Sequence, residues 1–372
     1  MGQETVIPIP DSFRPIIRSI GSGEPLRWPV VAGDPENERF LRASADHGIQ
    51  PLLYESLSRF EDVPPALTES LRRVAVIEAA ADVARTAFTS EIAAEAALRG
   101  IPLLVIKGAA LALTHYSTSH LRPRADLDVL IGDQDRIAMD ALLRERGCRR
   151  LAALQNETLF AQENWVRSDG AGARLAVDLH WRLSNLAMLA ERFEFDELFR
   201  RGIEIPTAGG PMRVPSSSDA LIIAAVHLAA HHPSSPRLIW LYDLHLLIES
   251  LSPAEESAMW KRSAELGVSR ICASSLELAR GWFGTRPAPA PLRPAHEPSA
   301  ALLDPGRTRL RDALLQIRYA RGWRTRMDYL RAQLFPPAAY MRSRSPRASS
   351  TWLPILYLRR LVGGIPKLLR RP

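Results

Sequence analysis

Two carboxylates one residue apart inside an apolar run are hard to bury, and this chain carries such a run at Asp126-Leu127-Asp128-Val129-Leu130-Ile131. The apolar residues read as a strand, where residues two apart share a face, so Asp126 and Asp128 point the same way. Acids at that spacing repel unless a cation lies between them, and hard cations such as Mg2+ take oxygen ligands of this kind. Upstream, the apolar segment 101–106 ends in Lys107-Gly108, and a helical pattern follows. Glycine allows close backbone approach, and N–H groups at a helix start favour anions, so Lys107 and Gly108 are placed to contact phosphate. Arg122 and Arg124, just ahead of the acids, are placed to neutralise it.

Two acids rarely complete such a site. The best third candidate is Asp178, centred in the apolar strand Leu175-Ala176-Val177-Asp178-Leu179. An acid there is costly to bury unless paired or bound to a cation. His180 follows by two and shares its face, within reach of a phosphate or a proton relay, although a hydrogen-bonded structural histidine is the commoner case. His227 and His231 have the i,i+4 spacing that can bind zinc, but no acidic partner of the His-Glu-x-x-His kind accompanies them, and with His232 they read as structural. Asp243, on a helix with Trp240 and Tyr242, either lines a cleft or binds an arginine.

The pattern along the chain divides it. Residues 1–100 form an N-terminal helical region, irregular to about 35, with two short helices over 36–60 and one long helix over 68–99 stopped by Gly100. Residues 101–214 alternate strand and helix: strands at 102–106, 127–131, 148–153 and 174–181, helices at 108–116 and 134–146. Residues 215–284 form a C-terminal helical bundle, with N-cap candidates in Ser216-Ser217-Ser218-Asp219 and helices at 220–231, 237–249, 253–266 and 268–283. A Pro-rich linker follows over 285–305, then a basic tail over 306–372 with one helix between 307 and 334. The fold class is α+β: a small mixed sheet with helices on one side, N-terminal helices and a C-terminal helical domain.

Charge is distributed unevenly. From 306 to 372 there are sixteen arginines and lysines against Asp312 and Asp328, a net +14, which leaves −7 on the rest of a +7 chain. Such a tail fits an anionic partner. Its last part, 351–372, mixes Trp352, Leu353, Ile355 and Leu356 with Arg359, Arg360, Lys367 and Arg370, the composition of an interfacial helix on an anionic membrane, although Gly363, Gly364 and Pro366 interrupt it. Two distant cysteines, Cys148 and Cys272, form no ligand pattern. With no secretory signal and no apolar run long enough to span a bilayer, the expected location is cytoplasmic, peripheral at the inner membrane face if the tail binds lipid.

The order Lys107-Gly108, Tyr116, Arg122-Pro123, Asp126-Leu127-Asp128, then Val177-Asp178-Leu179-His180-Trp181 resembles the uncharacterised nucleotidyltransferase family of the DNA polymerase β superfamily. His47-Gly48-Ile49-Gln50-Pro51 and Leu238-Ile239-Trp240-Leu241-Tyr242-Asp243 match its flanking helical regions, and the resemblance spans roughly residues 36 to 280. It implies three metal-binding acids, Asp126, Asp128 and Asp178, one or two Mg2+ ions, and an EC 2.7.7-type transfer of a nucleoside monophosphate from NTP to an acceptor. On the residue reading above, Lys107, Gly108, Arg122, Arg124 and His180 are the expected nucleotide contacts. Members are similar to proteins encoded near exopolysaccharide or modified-peptide biosynthesis genes; the expected acceptor is an unidentified small molecule, peptide or glycan. The wider superfamily carries Gly-Gly or Gly-Ser at the phosphate loop and its acids about a dozen residues later. This chain has Gly108-Ala109 and a longer gap. Two rival readings remain: an inactive nucleotide-binding scaffold docked at an anionic membrane by the basic tail, and a nucleic-acid enzyme, disfavoured because the tail has few aromatics placed to stack bases.

Overall fold

The structure, a computed structural model, describes residues 6–29, 34–151, 161–168, 174–231, 236–288, 297–304, 306–336, 338–343 and 353–359. Where the Pro and Gly content predicts irregular chain, Arg14–Ser22 forms helix α1 behind a 3-10 turn. Its buried Ile16, Ile17 and Ile20, with Phe13 of the preceding turn, fall at helical spacing, and Pro15 lies in the first turn, where a missing N–H costs nothing. The two-residue strands β1 (Leu26–Arg27) and β2 (Phe60–Glu61) pair in parallel. Between them come α2 (Asp34–His47) and α3 (Gln50–Ser56), close to the expected helices. The long helix α4 covers Pro65–Leu98. Gly100, at φ +67°, ends it: the amides of Gly100 and Ile101 turn back to the carbonyls of Ala97 and Ala96 at 3.0 and 2.9 Å.

The alternating segment builds β3 (Leu103–Val105), α5 (Lys107–Thr114), β4 (Asp126–Ile131), α6 (Arg136–Glu145), β5 (Arg149–Arg150), β6 (Gln162–Ser168) and β7 (Arg174–His180). The strand order is β3-β4-β7-β6-β5; β4 and β7 run parallel, the other neighbours antiparallel. The strand expected at 148–153 is reduced to Arg149–Arg150, its residues from 152 lying outside the described ones. Strand β6 has no counterpart in the sequence reading, because only Trp165 and Val166 along it are buried and the alternation is weak. Strand period sorts the two faces. Leu127, Val129, Ile131, Leu175, Val177 and Leu179 pack with Phe88, Ile92 and Ala96 of α4 and Met139, Leu142 and Leu143 of α6. The other face carries the acids.

A helix α7 (Phe195–Arg201) and a hairpin of β8 (Ile203–Thr207) and β9 (Gly210–Val214) precede the helices α8 (Ser217–His231), α9 (Leu238–Ser250), α10 (Pro253–Glu265) and α11 (Ser269–Phe283). One hydrophobic cluster joins Phe13, Phe40 and Leu53 to Leu221, Leu244, Ile271 and Phe283, so the N-terminal and C-terminal helices share a core. The contact is close: a Cβ on Gly21 of α1 would lie 2.3 Å from the Phe283 carbonyl oxygen. The ends of the Pro-rich stretch are pinned. Thr285 meets His245 at 3.1 Å, and Glu297 accepts the Arg270 amide at 2.9 Å; residues 289–296 between them lie outside the described ones. The single helix expected over 307–334 is two, α12 (Arg309–Tyr319) and α13 (Gly322–Leu334), broken where Gly322 takes φ +78°. A short α14 (Ala338–Ser343) follows. The whole is a mixed α+β protein whose acid-bearing sheet face looks toward α8 and α9.

Candidate active site

Parallel pairing of β4 and β7 puts Asp128 directly opposite Asp178 and Leu130 opposite His180. Asp126, Asp128 and Asp178 line one cavity of about 460 Å³, together with Lys107, Gly108, Arg122 and Arg124 from the sheet side and His227, Arg237, Trp240 and Asp243 from the helical side. Carboxylate oxygens of Asp128 and Asp178 and a ring nitrogen of His180 lie within 4.8 Å of one another. His180 is buried and does not line the cavity; its Nε2 lies 2.9 Å from Asp128 Oδ1. Lys107 enters from the start of α5 with φ +53°, a conformation uncommon outside glycine, and its ammonium donates to Asp128 Oδ1 at 2.5 Å.

The three acids differ electrostatically. Burial works against ionisation of Asp128, but the Lys107 ammonium and the His180 hydrogen bond hold it well below the usual carboxylate range. Asp126 is pushed the other way, up to about 7, by burial and then by the charges of Asp128 and Asp178. Asp178 is raised by burial and by Asp128, with Asn164 donating a hydrogen bond that offsets part of this. Among the described residues the Asp126 carboxylate has neither a hydrogen bond nor an ion pair. A largely buried acid left without a partner beside two others is what an oxygen-ligated divalent cation would relieve, so the donor set fits such an ion.

The arginines are committed elsewhere. Arg122 is buried and holds Asp243 in a fork, Nε to Oδ1 at 2.8 Å and Nη2 to Oδ2 at 2.7 Å, while the Tyr116 hydroxyl donates to the same carboxylate at 2.7 Å. Arg124 pairs with Asp82 of α4 at 2.5 Å and donates to Thr86 at 2.9 Å. Asp243 thus both lines the cleft and binds an arginine. The two pairs clamp Pro123 and the entry to β4 between α9 and α4, which positions Asp126. Arg122 keeps contact with the start of α5: a Cβ on Gly108 would lie 3.5 Å from its guanidinium carbon. Asp82, Asn164 and Arg237 escape sequence reasoning. Asp82 lies mid-helix in α4, and nothing in its spacing separates it from a solvent-facing acid. His227 lines the cleft and meets the Trp240 ring edge-on at 5.8 Å, away from the acids' cluster; His232 lies outside the described residues.

Both cysteines are buried and free, and no helix among the described residues is long and apolar enough to cross a membrane. Among solved structures, the chain is similar to the antibiotic-resistance factor ANT(2'')-Ia in solution, at 17% identity over 53% of this chain and 97% of that one, with a TM-score of 0.36. It is similar to ANT(2'')-Ia in complex with adenylyl-2''-tobramycin at 19% identity over 49% and 97%, TM-score 0.35. It is also similar to an antigenic nucleotidyltransferase-like protein from Paracoccidioides brasiliensis at 15% identity over 53% and 92%, TM-score 0.34. No curated protein matches the chain. Residues 34–284, two thirds of the sequence and all of the cleft described above, match the family model for an uncharacterised nucleotidyltransferase, and the chain belongs to that family.

Proposed function

We propose that the chain is a Mg2+-dependent enzyme that moves a nucleoside monophosphate from NTP to an acceptor hydroxyl, with Asp126, Asp128 and Asp178 as metal ligands. Nucleotidyl transfer is the chemistry of the family to which it belongs. The observation that carries the metal assignment is the convergence of three carboxylates on one cleft, with Asp126 unpaired. A bound divalent ion would draw off phosphate charge and lower the pKa of the attacking hydroxyl. The acceptor oxygen then forms a bond to the α-phosphorus, the bond to the bridging oxygen breaks, and pyrophosphate leaves with that electron pair. Asp178, raised toward the range where a carboxylate accepts protons, takes the acceptor proton while Asn164 holds its other interactions in place. Lys107 neutralises Asp128 in the free protein and is placed to turn to phosphate at the start of α5. Gly108 leaves the helix-start amides open to that phosphate. Arg122 and Arg124 act through their partners, and His180 orients Asp128.

The acceptor is proposed as a small molecule, peptide or glycan of a biosynthetic pathway. The test is incubation with labelled NTP, Mg2+ and acceptor mixtures, comparing the unsubstituted protein with Asp126→Asn plus Asp128→Asn. Release of pyrophosphate that persists in the double variant would remove the assignment. The membrane-docked scaffold stays as a second reading because Ile355 and Leu358 are 41% and 62% exposed, while Leu353, Leu356 and Tyr357 of the same segment pack inward.

A further inference from the structure

Arg237 is a half-buried cation in the cleft that the nucleotidyl-transfer scheme has not yet used. Its guanidinium is held in place from behind. Nε donates to the Asp46 carbonyl at 2.6 Å, and the guanidinium carbon lies over the Trp240 ring, 5.6 Å from its centroid. His47, next to Asp46, accepts the Leu238 amide at 3.1 Å and fixes the start of α9 just after Arg237. Gly48 takes φ +71°, and a Cβ there would lie 3.0 Å from Arg237 Nη2, so the turn that ends α2 leaves a seat for the guanidinium. Among the described residues no carboxylate reaches Arg237 within ion-pair distance, and its Nη groups have no acceptor. Its charged neighbours are Arg122 and Asp46; none of the three cleft acids is among them.

The basic wall therefore has an order. Lys107 and Gly108 begin it at the acids, the Arg122 guanidinium lies against Gly108, and Arg237, lining the same cavity, has Arg122 as a charged neighbour. The Arg122 charge is cancelled by Asp243, but Arg237 is cancelled by no paired acid. A cation fixed in a cleft without its counter-charge is costly unless an anion visits. We propose that Arg237 is the seat of a phosphate group, namely the terminal phosphate of the bound nucleoside triphosphate, and that it sets the preference for triphosphate over diphosphate. This rests on the nucleotidyl-transfer reading. With the reacting phosphate at the acids and the next against Gly108, the third extends past Arg122 to Arg237.

The test is calorimetric titration of the full chain with ATP, ADP and AMP, each with Mg2+, repeated on Arg237→Gln and Arg237→Lys. Loss of the charge-assisted hydrogen bonds predicts at least about a tenfold fall in ATP affinity for Arg237→Gln, against about twofold or less for ADP and AMP, with Arg237→Lys in between. Because the readout is a ratio between ligands on one variant, general loosening of the fold lowers all three affinities together and counts against the proposal. Equal losses, or none, overturn it while leaving nucleotidyl transfer intact. Failure of the unsubstituted protein to bind any of ATP, CTP, GTP and UTP would sink both readings.

Discussion

Replacing Asp126 with Asn should stabilise the metal-free protein, and the gain should grow with pH. The Asp126 carboxyl is raised from 3.8 to about 7 by burial and by Asp128 and Asp178. Between those values the native state holds a proton that the unfolded chain has released. The native state therefore binds more protons, and its stability falls as pH rises through the window. At about 1.36 kcal/mol per unit, the full penalty is roughly 4 kcal/mol above pH 7 as an upper bound, about 1.5 kcal/mol near pH 5, and small near pH 4. Asn fills the same space without the charge, so Asp126→Asn should gain roughly 2–3 kcal/mol more near pH 8 than near pH 5. Urea unfolding of both proteins at the two pH values, with chelator present, measures this directly. Titrating groups away from the acid cluster, such as His47, pushed down to about 4 by burial, cancel in the difference. Added Mg2+ should restore stability to the unsubstituted protein and not to the variant. A variant destabilised equally at both pH values would refute the argument that Asp126 is an unrelieved charge.

Gly108→Ala should fold with an unchanged or slightly higher Tm, since the new methyl meets only the Arg122 guanidinium at 3.5 Å. Its KM for NTP should nonetheless rise several-fold if phosphate approaches that backbone, and steady-state kinetics decide. Asp243→Ala strands the buried Arg122 and the Tyr116 hydroxyl, and should cost about 3–5 kcal/mol in chemical denaturation. A cost under about 1 kcal/mol would mean the pair is not structural. Deleting 351–372 should abolish co-sedimentation with anionic vesicles while leaving nucleotide binding unchanged; retention on vesicles after deletion removes the membrane role.

Period and composition carry far in this chain. The long α4 is legible from its Ala, Glu, Arg and Leu content, β4 from its short apolar run, and the helices α8 to α11 from long apolar-rich segments bounded by Ser, Pro and Gly. Helix α1 carries a helical period at Ile16, Ile17 and Ile20, with Phe13 just ahead of it, but its Pro and Gly neighbours hide it. The hairpin β8–β9 is signalled by Gly209-Gly210 between two short runs, a cue easily passed over. Strand β6 is mostly polar and exists because β7 and β5 offer backbone partners, which no local pattern encodes.

By itself, the amino-acid order determined that Asp126 and Asp128 share a strand face and that Asp178 and His180 share another, because strand geometry alternates side chains whatever surrounds them. Only the tertiary structure decided that β7 lies beside β4 in a register that sets Asp178 against Asp128. The partners of the two arginines were decided at the same level, since Asp243 and Asp82 stand 121 and 42 residues away in sequence. Ion pairs over such separations depend on how helices dock, and docking follows from the summed burial of a shared core, a quantity no short stretch of chain contains.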